Sequence, residues 1–353
     1  MRHVVILCGG RSAEHEVSLV SAASVIRNLD KSCYRVSVAG IRKDGSTYSP
    51  AELEEGLKLS ANGLFAHLPG DNWLVELARM QPRPDVVFPV LHGPFGEDGT
   101  VQGAFELLDL PYVGAGVWGS AIGMNKIHSK KILSAAGLPV LPWLSFDRLD
   151  WEKRKDSVLT LAQSVSDFPL FVKPANLGSS IGINKSKDRE GLVRHIEEAL
   201  RYDDFVLVER GIEAREIEVS VLGNLDPRAS MAGEIVPSRE FYTYESKYLD
   251  ETSELLIPAR LSGPEMEQAR RLAVDTYKTL QLEGMARVDL LMDKKTGELW
   301  INEPNTIPGF TSISMYPKLW EASGLGYADL LDELIELGLE RYARRRRLSV
   351  DRA

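Results

Sequence analysis

The sequence predicts a mixed α/β and α+β protein that opens with a doubly wound parallel sheet. Three features carry this: buried strand runs alternating with helical periodicity to about residue 108, shorter strands beyond Val113, and a strongly patterned hairpin between Gly284 and Asn305. At 353 residues the chain is too long for one small domain, and the pattern divides it into units 1–115, 116–210 and 211–353.

Residues 4–8 read as a buried parallel strand and Gly9-Gly10 as a turn, with Leu19, Ala22, Ala23, Ile26 and Leu29 forming one helical face. Strands are expected at 36–41 and 85–91, with a helix at 101–108. Residues 44–82 are turn-rich and read as an elaboration of this first unit. A helix is expected at 126–136, Pro139 and Pro142 punctuate the chain beyond it, and strands are expected at 170–173, 181–185 and 206–209 around a helix at 190–201. Longer antiparallel strands begin near Glu216. A helix at 264–280, the hairpin and a terminal helix from Tyr327 complete the chain.

The formal charge of -9 disfavours nonspecific binding to nucleic acid or an anionic membrane. The one strong basic cluster, 344–347, suits a solvated helix C-terminus. Cys8 and Cys33 lack metal-ligand spacing and read as buried, reduced thiols. The first residues read as a core strand and not as a signal peptide, and no apolar run reaches the roughly 20 residues that span a bilayer. A cytoplasmic protein is expected.

The chemistry is concentrated in the hairpin. Arg287, Asp289 and Leu291 share one strand face, and after the turn formers of 293–298 the residues Leu299, Ile301, Glu303 and Asn305 alternate along the return strand. If Asp293 lies opposite Leu299, Asp289 faces Glu303 and Arg287 faces Asn305. Two carboxylates directly opposite each other require a cation. Mg²⁺, with Mn²⁺ as the alternative, takes oxygen ligands from one or two carboxylates and completes its shell with water and phosphates.

Residues 171–183, FVKPANLGSSIGI, place a lysine at a strand end before a small-residue turn. Backbone N–H groups there can surround phosphate oxygens while Lys173 adds a point charge. The loop is not a Walker A motif, because the lysine precedes the glycines. Glu209 ends the next apolar strand and Glu216 lies soon after it; Glu216 is the choice for ribose hydroxyls. Lys126 can reach phosphates from the preceding helix.

With these residues in place the chain resembles an ATP-grasp enzyme, and closely the D-alanine:D-alanine ligase family of bacterial cell-wall synthesis. The resemblance covers nearly the whole chain, through GGRSAEHEVS (9–18), LHGPFGEDGT (91–100), VKPANLGSS (172–180), YESKY (244–248) and NEPNTIPG (302–309). It implies three domains, a homodimer, and ATP-dependent joining of two D-alanine molecules through an acyl phosphate, for peptidoglycan precursors and hence cell shape. Lys126, Lys173 and Lys247 would contact phosphates, and Glu209 and Glu216 the adenosine. Asp289, Glu303 and Asn305 would hold two metal ions. Glu14 would meet the ammonium of the first D-alanine, linked to Ser179 and Tyr248. Ser314 and the Met315 backbone would hold the carboxylate of the second, with His92 nearby.

Arg287 and the Gly309 N–H are candidates for the tetrahedral oxyanion. Segment 239–251, with Lys247 and Tyr248, is the expected lid. Two positions depart from the family: Pro304 stands where alanine is commoner, and Met315 where leucine is frequent. A D-alanine:D-lactate depsipeptide ligase is the nearest rival, and Tyr248 argues against it. A noncatalytic nucleotide-binding module would show eroded lysines or metal ligands, and none is visible.

Overall fold

The computed structural model describes residues 1–68, 70–236 and 254–350. The expected lid, with Lys247 and Tyr248, lies outside the described residues. The first sheet is parallel, built from β1 (Arg2–Gly9), β2 (Tyr34–Ile41), β3 (Ala66–His67) and β4 (Val86–Val90) in the order β3-β2-β1-β4. Its central strands read as continuous apolar runs because helices cover both faces. Residues 44–82 are more regular than expected. They hold helices Pro50–Leu57 and Trp73–Arg79, the first started by a Ser49–Glu52 capping box with Pro50 in its first turn.

A second sheet is antiparallel: β5 (Trp143–Asp147), β6 (Leu170–Pro174), β7 (Asn184–Ser186) and β8 (Phe205–Arg210), in the order β5-β8-β6-β7. Strand β7 begins later than the expected residue 181. Ser179, Ser180 and Gly182 take φ of 52°, 59° and 70°, a left-handed stretch that cannot continue a strand. The third sheet contains β9 (Ala214–Gly223), β10 (Arg228–Val236), β11 (Glu254–Leu256), β12 (Gly284–Asp293) and β13 (Leu299–Asn305), in the order β11-β10-β9-β12-β13. Helix Gly263–Thr279 covers one face, packing Ala269, Leu272, Ala273 and Tyr277 onto Ile217, Val219, Val288 and Leu290.

The C-terminal segment returns to the first sheet. Leu330, Leu331, Leu334 and Ile335 of helix Tyr327–Arg345 share a core with Val4, Ile6, Val86 and Phe88, and Phe310 meets the Phe88 ring edge-on at 5.9 Å. The basic cluster is therefore not simply solvated. Arg344, Arg345 and Arg346 pair with Glu283, Glu106 and Asp109, the last two from the first unit. Cys8 is buried as expected, whereas Cys33 is exposed, because it lies in the turn before β2 and not within the strand. Among the described residues no helix is long and apolar enough to cross a membrane.

Candidate active site

The hairpin pairs Asp289 with Glu303 and Arg287 with Asn305, as expected, but Met292 and not Asp293 stands opposite Leu299. One residue is absorbed between the two ends. Leu290 faces Ile301 and its neighbour Asp289 faces Glu303, so Asn302 is an unpaired bulge residue. The expectation that Leu299, Ile301, Glu303 and Asn305 share a face is corrected accordingly. A bulge inverts the alternation, so Leu299 and Ile301 enter the core with Val288 and Leu290 while Glu303 remains beside Asp289. Pro304 pairs with Val288 on β13, an edge strand where a missing N–H is tolerated.

Asp289 is held by Arg287 through Nε at 2.7 Å and Nη2 at 2.8 Å, and Asn305 Nδ2 donates to it at 2.9 Å. On the other side of Asp289 stands Glu218 of β9, whose Oε2 lies 3.0 Å from Arg287 Nε. Sequence reading missed Glu218. Its signal was the alternation Glu216, Glu218, Ser220, polar residues on one strand face.

Lys126, Lys130 and Lys173 are all buried. Lys126 Nζ lies 3.0 Å from Glu303 Oε2 and donates to the Leu177 carbonyl at 2.6 Å. Lys173 pairs with Glu209 Oε1 and donates to Asn302 Oδ1 at 3.2 Å, and Lys130 lies 2.8 Å from Glu209 Oε2. Burial alone would raise the Glu209 pKa, but Lys130 and Lys173 hold it down at about 2. Burial lowers Lys130, while in Lys173 the attraction of Glu209 and Glu303 outweighs burial and raises it. Lys130 was also missed; its place four residues after Lys126, on the same helix face, was the available signal.

Lys173, Glu209, Glu218, Asp289, Asn302 and Glu303 line a cleft of about 860 Å³ between the second and third sheets. Leu141, Phe171, Ile183, Ile212 and Leu291 give it apolar walls, Glu216 lies on its lining, and Lys173, Asp289 and Glu303 mark its polar end. The volume suits a nucleotide-sized ligand. Ser180 and Ile183 of the loop between β6 and β7 also line the cleft, and the left-handed Ser179 and Ser180 are strain of the kind that collects at functional sites.

Ser179 Oγ donates to Glu14 Oε1, joining this loop to the N-terminus of helix His15–Asn28. Glu14 in turn influences Glu97, whose pKa is raised to about 8 first by burial and then by that neighbouring charge. Glu97 accepts from the N–H groups of Gly93 at 2.8 Å and Ile307 at 2.9 Å. It was a further omission from the sequence reading, although it lies in the segment 91–100.

His92, expected close to a substrate, is buried with both ring nitrogens engaged. Nδ1 lies 2.9 Å from the Ile307 carbonyl, which only accepts, so Nδ1 carries the proton. Nε2 then accepts from Ser21 Oγ at 3.3 Å, and Ser21 Oγ accepts from the Phe310 N–H at 3.2 Å. Burial lowers the His92 pKa, in keeping with this neutral tautomer. The chain fixes the 306–310 loop, placing Gly309 beside Ser314. Ser314 precedes helix Met315–Ala322, so the Met315 N–H is at a helix start, where donors lack intrahelical partners.

Asp289, Glu303 and Asn305 are hard oxygen donors in adjacent register positions, and two carboxylates with one amide fit Mg²⁺ when phosphates supply the remaining ligands. No group of three or more His, Cys, Asp or Glu side chains is arranged around a metal position among the described residues. Arg287 and Lys126 neutralise the opposed carboxylates in this arrangement.

The D-ala D-ala ligase N-terminus family model matches residues 3–115, and the D-ala D-ala ligase C-terminus model matches residues 132–336. A D-alanine--D-alanine ligase from Thermoanaerobacter sp. (strain X514) is 49% identical, the match covering 96% of this chain and 97% of the relative. One from Heliobacterium modesticaldum is 45% identical over 99% of this chain and 98% of its own. The solved D-alanine-D-alanine ligase of Coxiella burnetii superposes with a TM-score of 0.81 at 37% identity, covering 98% of this chain and 96% of that one. The VanG D-Ala:D-Ser ligase of Enterococcus faecalis gives 0.81 at 34% identity, covering 96% and 99%.

Proposed function

The chain belongs to the D-alanine–D-alanine ligase family of ATP-dependent ligases, and from that premise we propose how its own residues divide the work of joining two D-alanine molecules. The carboxylate of one D-alanine takes the terminal phosphoryl group of ATP, giving an acyl phosphate and ADP. The amine of the second attacks the acyl carbon, and phosphate leaves as the amide forms.

Lys126 and Lys173, joined by Lys247, neutralise charge on the transferring phosphoryl group. Glu209 contributes by holding Lys173. Both Glu209 and Glu216 line the cleft, which supports assigning them to the adenosine, with Glu216 taking the ribose hydroxyls. Asp289, Glu303 and Asn305 would hold magnesium, proposed as two ions with manganese as a substitute. When bound, the metal supplies charge neutralisation for phosphoryl transfer.

Glu14 receives the ammonium of the first D-alanine, steadied by Ser179 and, from the family resemblance, Tyr248. Ser314 Oγ and the Met315 N–H receive the carboxylate of the second, while Arg287 and the Gly309 N–H meet the oxyanion. His92 holds the loop that carries Gly309. Segment 239–251, which lies outside the described residues, is proposed as the lid that keeps water from hydrolysing the intermediate. We further propose that units 1–115, 116–210 and 211–353 are the three domains of a cytoplasmic homodimer. The containment of each sheet within one unit supports the division.

The observation that carries this reading is the pairing of Asp289 with Glu303 at the polar end of a nucleotide-sized cleft, facing Lys173. Phosphate release from ATP, with and without D-alanine and with D-lactate offered beside it, combined with the product mass, tests it. D-alanine-dependent release with a D-alanyl-D-alanine mass is expected. ATP turnover that ignores D-alanine, or a mass showing D-lactate incorporated in preference, overturns it.

A further inference from the structure

We propose that Glu218 is a positioning residue: it retains Arg287 so that the carboxylate of Asp289 can turn to a divalent cation. The inference rests on the metal-binding role proposed for Asp289 and Glu303. Along β9 the residues Glu216, Glu218 and Ser220 share one strand face, and Glu218 is the direct sheet neighbour of Asp289. Its side chain is buried, and Arg287 stands between the two carboxylates. One guanidinium is thus shared: Arg287 Nε lies 3.0 Å from Glu218 Oε2 and 2.7 Å from Asp289 Oδ1, while Nη2 lies 2.8 Å from Asp289 Oδ2.

This sharing bears directly on cation binding. A cation at Asp289 and the Arg287 guanidinium compete for the same oxygens, and two positive charges side by side repel each other. Arg287 is too enclosed to retreat into solvent, with its side chain 16% exposed. Glu218 offers the guanidinium a second carboxylate within the site. When Arg287 shifts its bonds towards Glu218, Asp289 is left open, and the Glu218 charge cancels that of Arg287. The Asp289–Glu303 pair then faces the cation with its own charge undiminished. Arg287 remains anchored at the reacting end, where its proposed role requires it.

The test is direct Mn²⁺ binding, read from the free-ion EPR signal as the full chain is titrated in the presence of ADP, together with kcat and KM. Glu218→Gln preserves shape and removes the charge. It is expected to weaken Mn²⁺ by about tenfold, the scale of one charge-assisted interaction, and to lower kcat with little change in ADP affinity measured without metal. Glu218→Asp, which keeps the charge but withdraws it, is expected to fall between Gln and wild type, and it replaces Gln if that variant does not fold. Mn²⁺ affinity in the folded variant within about twofold of wild type, whatever happens to thermal stability, overturns the role of Glu218. Wild-type protein that binds no Mn²⁺ with ADP overturns instead the assignment of Asp289 and Glu303.

Discussion

Lys173 donates to Asn302 at 3.2 Å, and Asn302 is the residue that the β12–β13 ladder leaves unpaired. The bulge therefore has two consequences: it returns Ile301 to the core, and it turns an amide towards the phosphate-side lysine. Asn302→Ala removes the second while leaving the backbone free to keep the first. Because Glu209 still holds Lys173, the expected cost in stability is about 1 kcal/mol, with a several-fold rise in KM for ATP. Steady-state kinetics at saturating D-alanine measure it, and an unchanged KM shows that Glu209 alone suffices.

Arg287→Ala is expected to leave nucleotide binding close to wild type while lowering kcat by about 10² or more, the usual loss for one oxyanion donor. The two readouts are separable because Arg287 contacts Asp289 and Glu218, whereas the apolar cleft walls come from other residues. Calorimetric titration with ADP and a dipeptide assay measure them. Normal dipeptide synthesis by the variant removes Arg287 from the chemistry.

Local alternation made much of this site legible. The pairing of Asp289 with Glu303 followed from side-chain period and a register anchored on Asp293 and Leu299; that anchor is off by one residue, and the bulge at Asn302 restores the pairing. The buried runs of β1 and β4 marked a covered parallel sheet. The bulge at Asn302 was not legible, because the two apolar residues that demand it, Leu299 and Ile301, fit an unbroken strand equally well when only one strand is considered. Glu218 was overlooked for a related reason. Its significance depends on β9 lying beside β12, a long-range pairing that no local pattern records. Lys130 was overlooked because its partner carboxylate Glu209 arrives from a distant strand, and the pairing of Lys126 with Glu303 is likewise long-range. The return of helix Tyr327–Arg345 to the first sheet likewise reflects tertiary packing and not a signal within the helix.

Glu209 makes stability depend on acid. Its pKa is about 2 in the folded protein against an ordinary value of 4.5, so the folded state binds fewer protons through it than the unfolded chain in that window. Its contribution is complete above the ordinary carboxylate pKa and is lost as the pH falls from about 4.5 towards 2. Glu209→Gln removes that component and leaves Lys130 and Lys173 without their shared counter-charge, which is expected to cost about 3–5 kcal/mol near neutrality. Denaturant unfolding at several pH values measures the difference. The gap between wild type and variant should narrow steadily below pH 4.5; a constant gap excludes Glu209 as its source.

Gly309→Ala tests the second-substrate end. A Cβ at Gly309 would lie 2.7 Å from Ser314 Oγ, too close for both to remain in place. Ser314 cannot simply rotate away without loss, since its hydroxyl lies 2.8 Å from Thr311 Oγ1 and accepts from the Thr311 N–H at 3.0 Å. The added methyl is therefore expected to displace the hydroxyl proposed for the second D-alanine. Overpacking of this kind costs about 1–3 kcal/mol, and the same displacement should raise KM for the second D-alanine by about tenfold while KM for ATP stays unchanged. Dipeptide synthesis at varied D-alanine separates the two sites, since the weaker one dominates at high concentration. Equal effects on ATP and D-alanine would place the disturbance in the hairpin and not at Ser314.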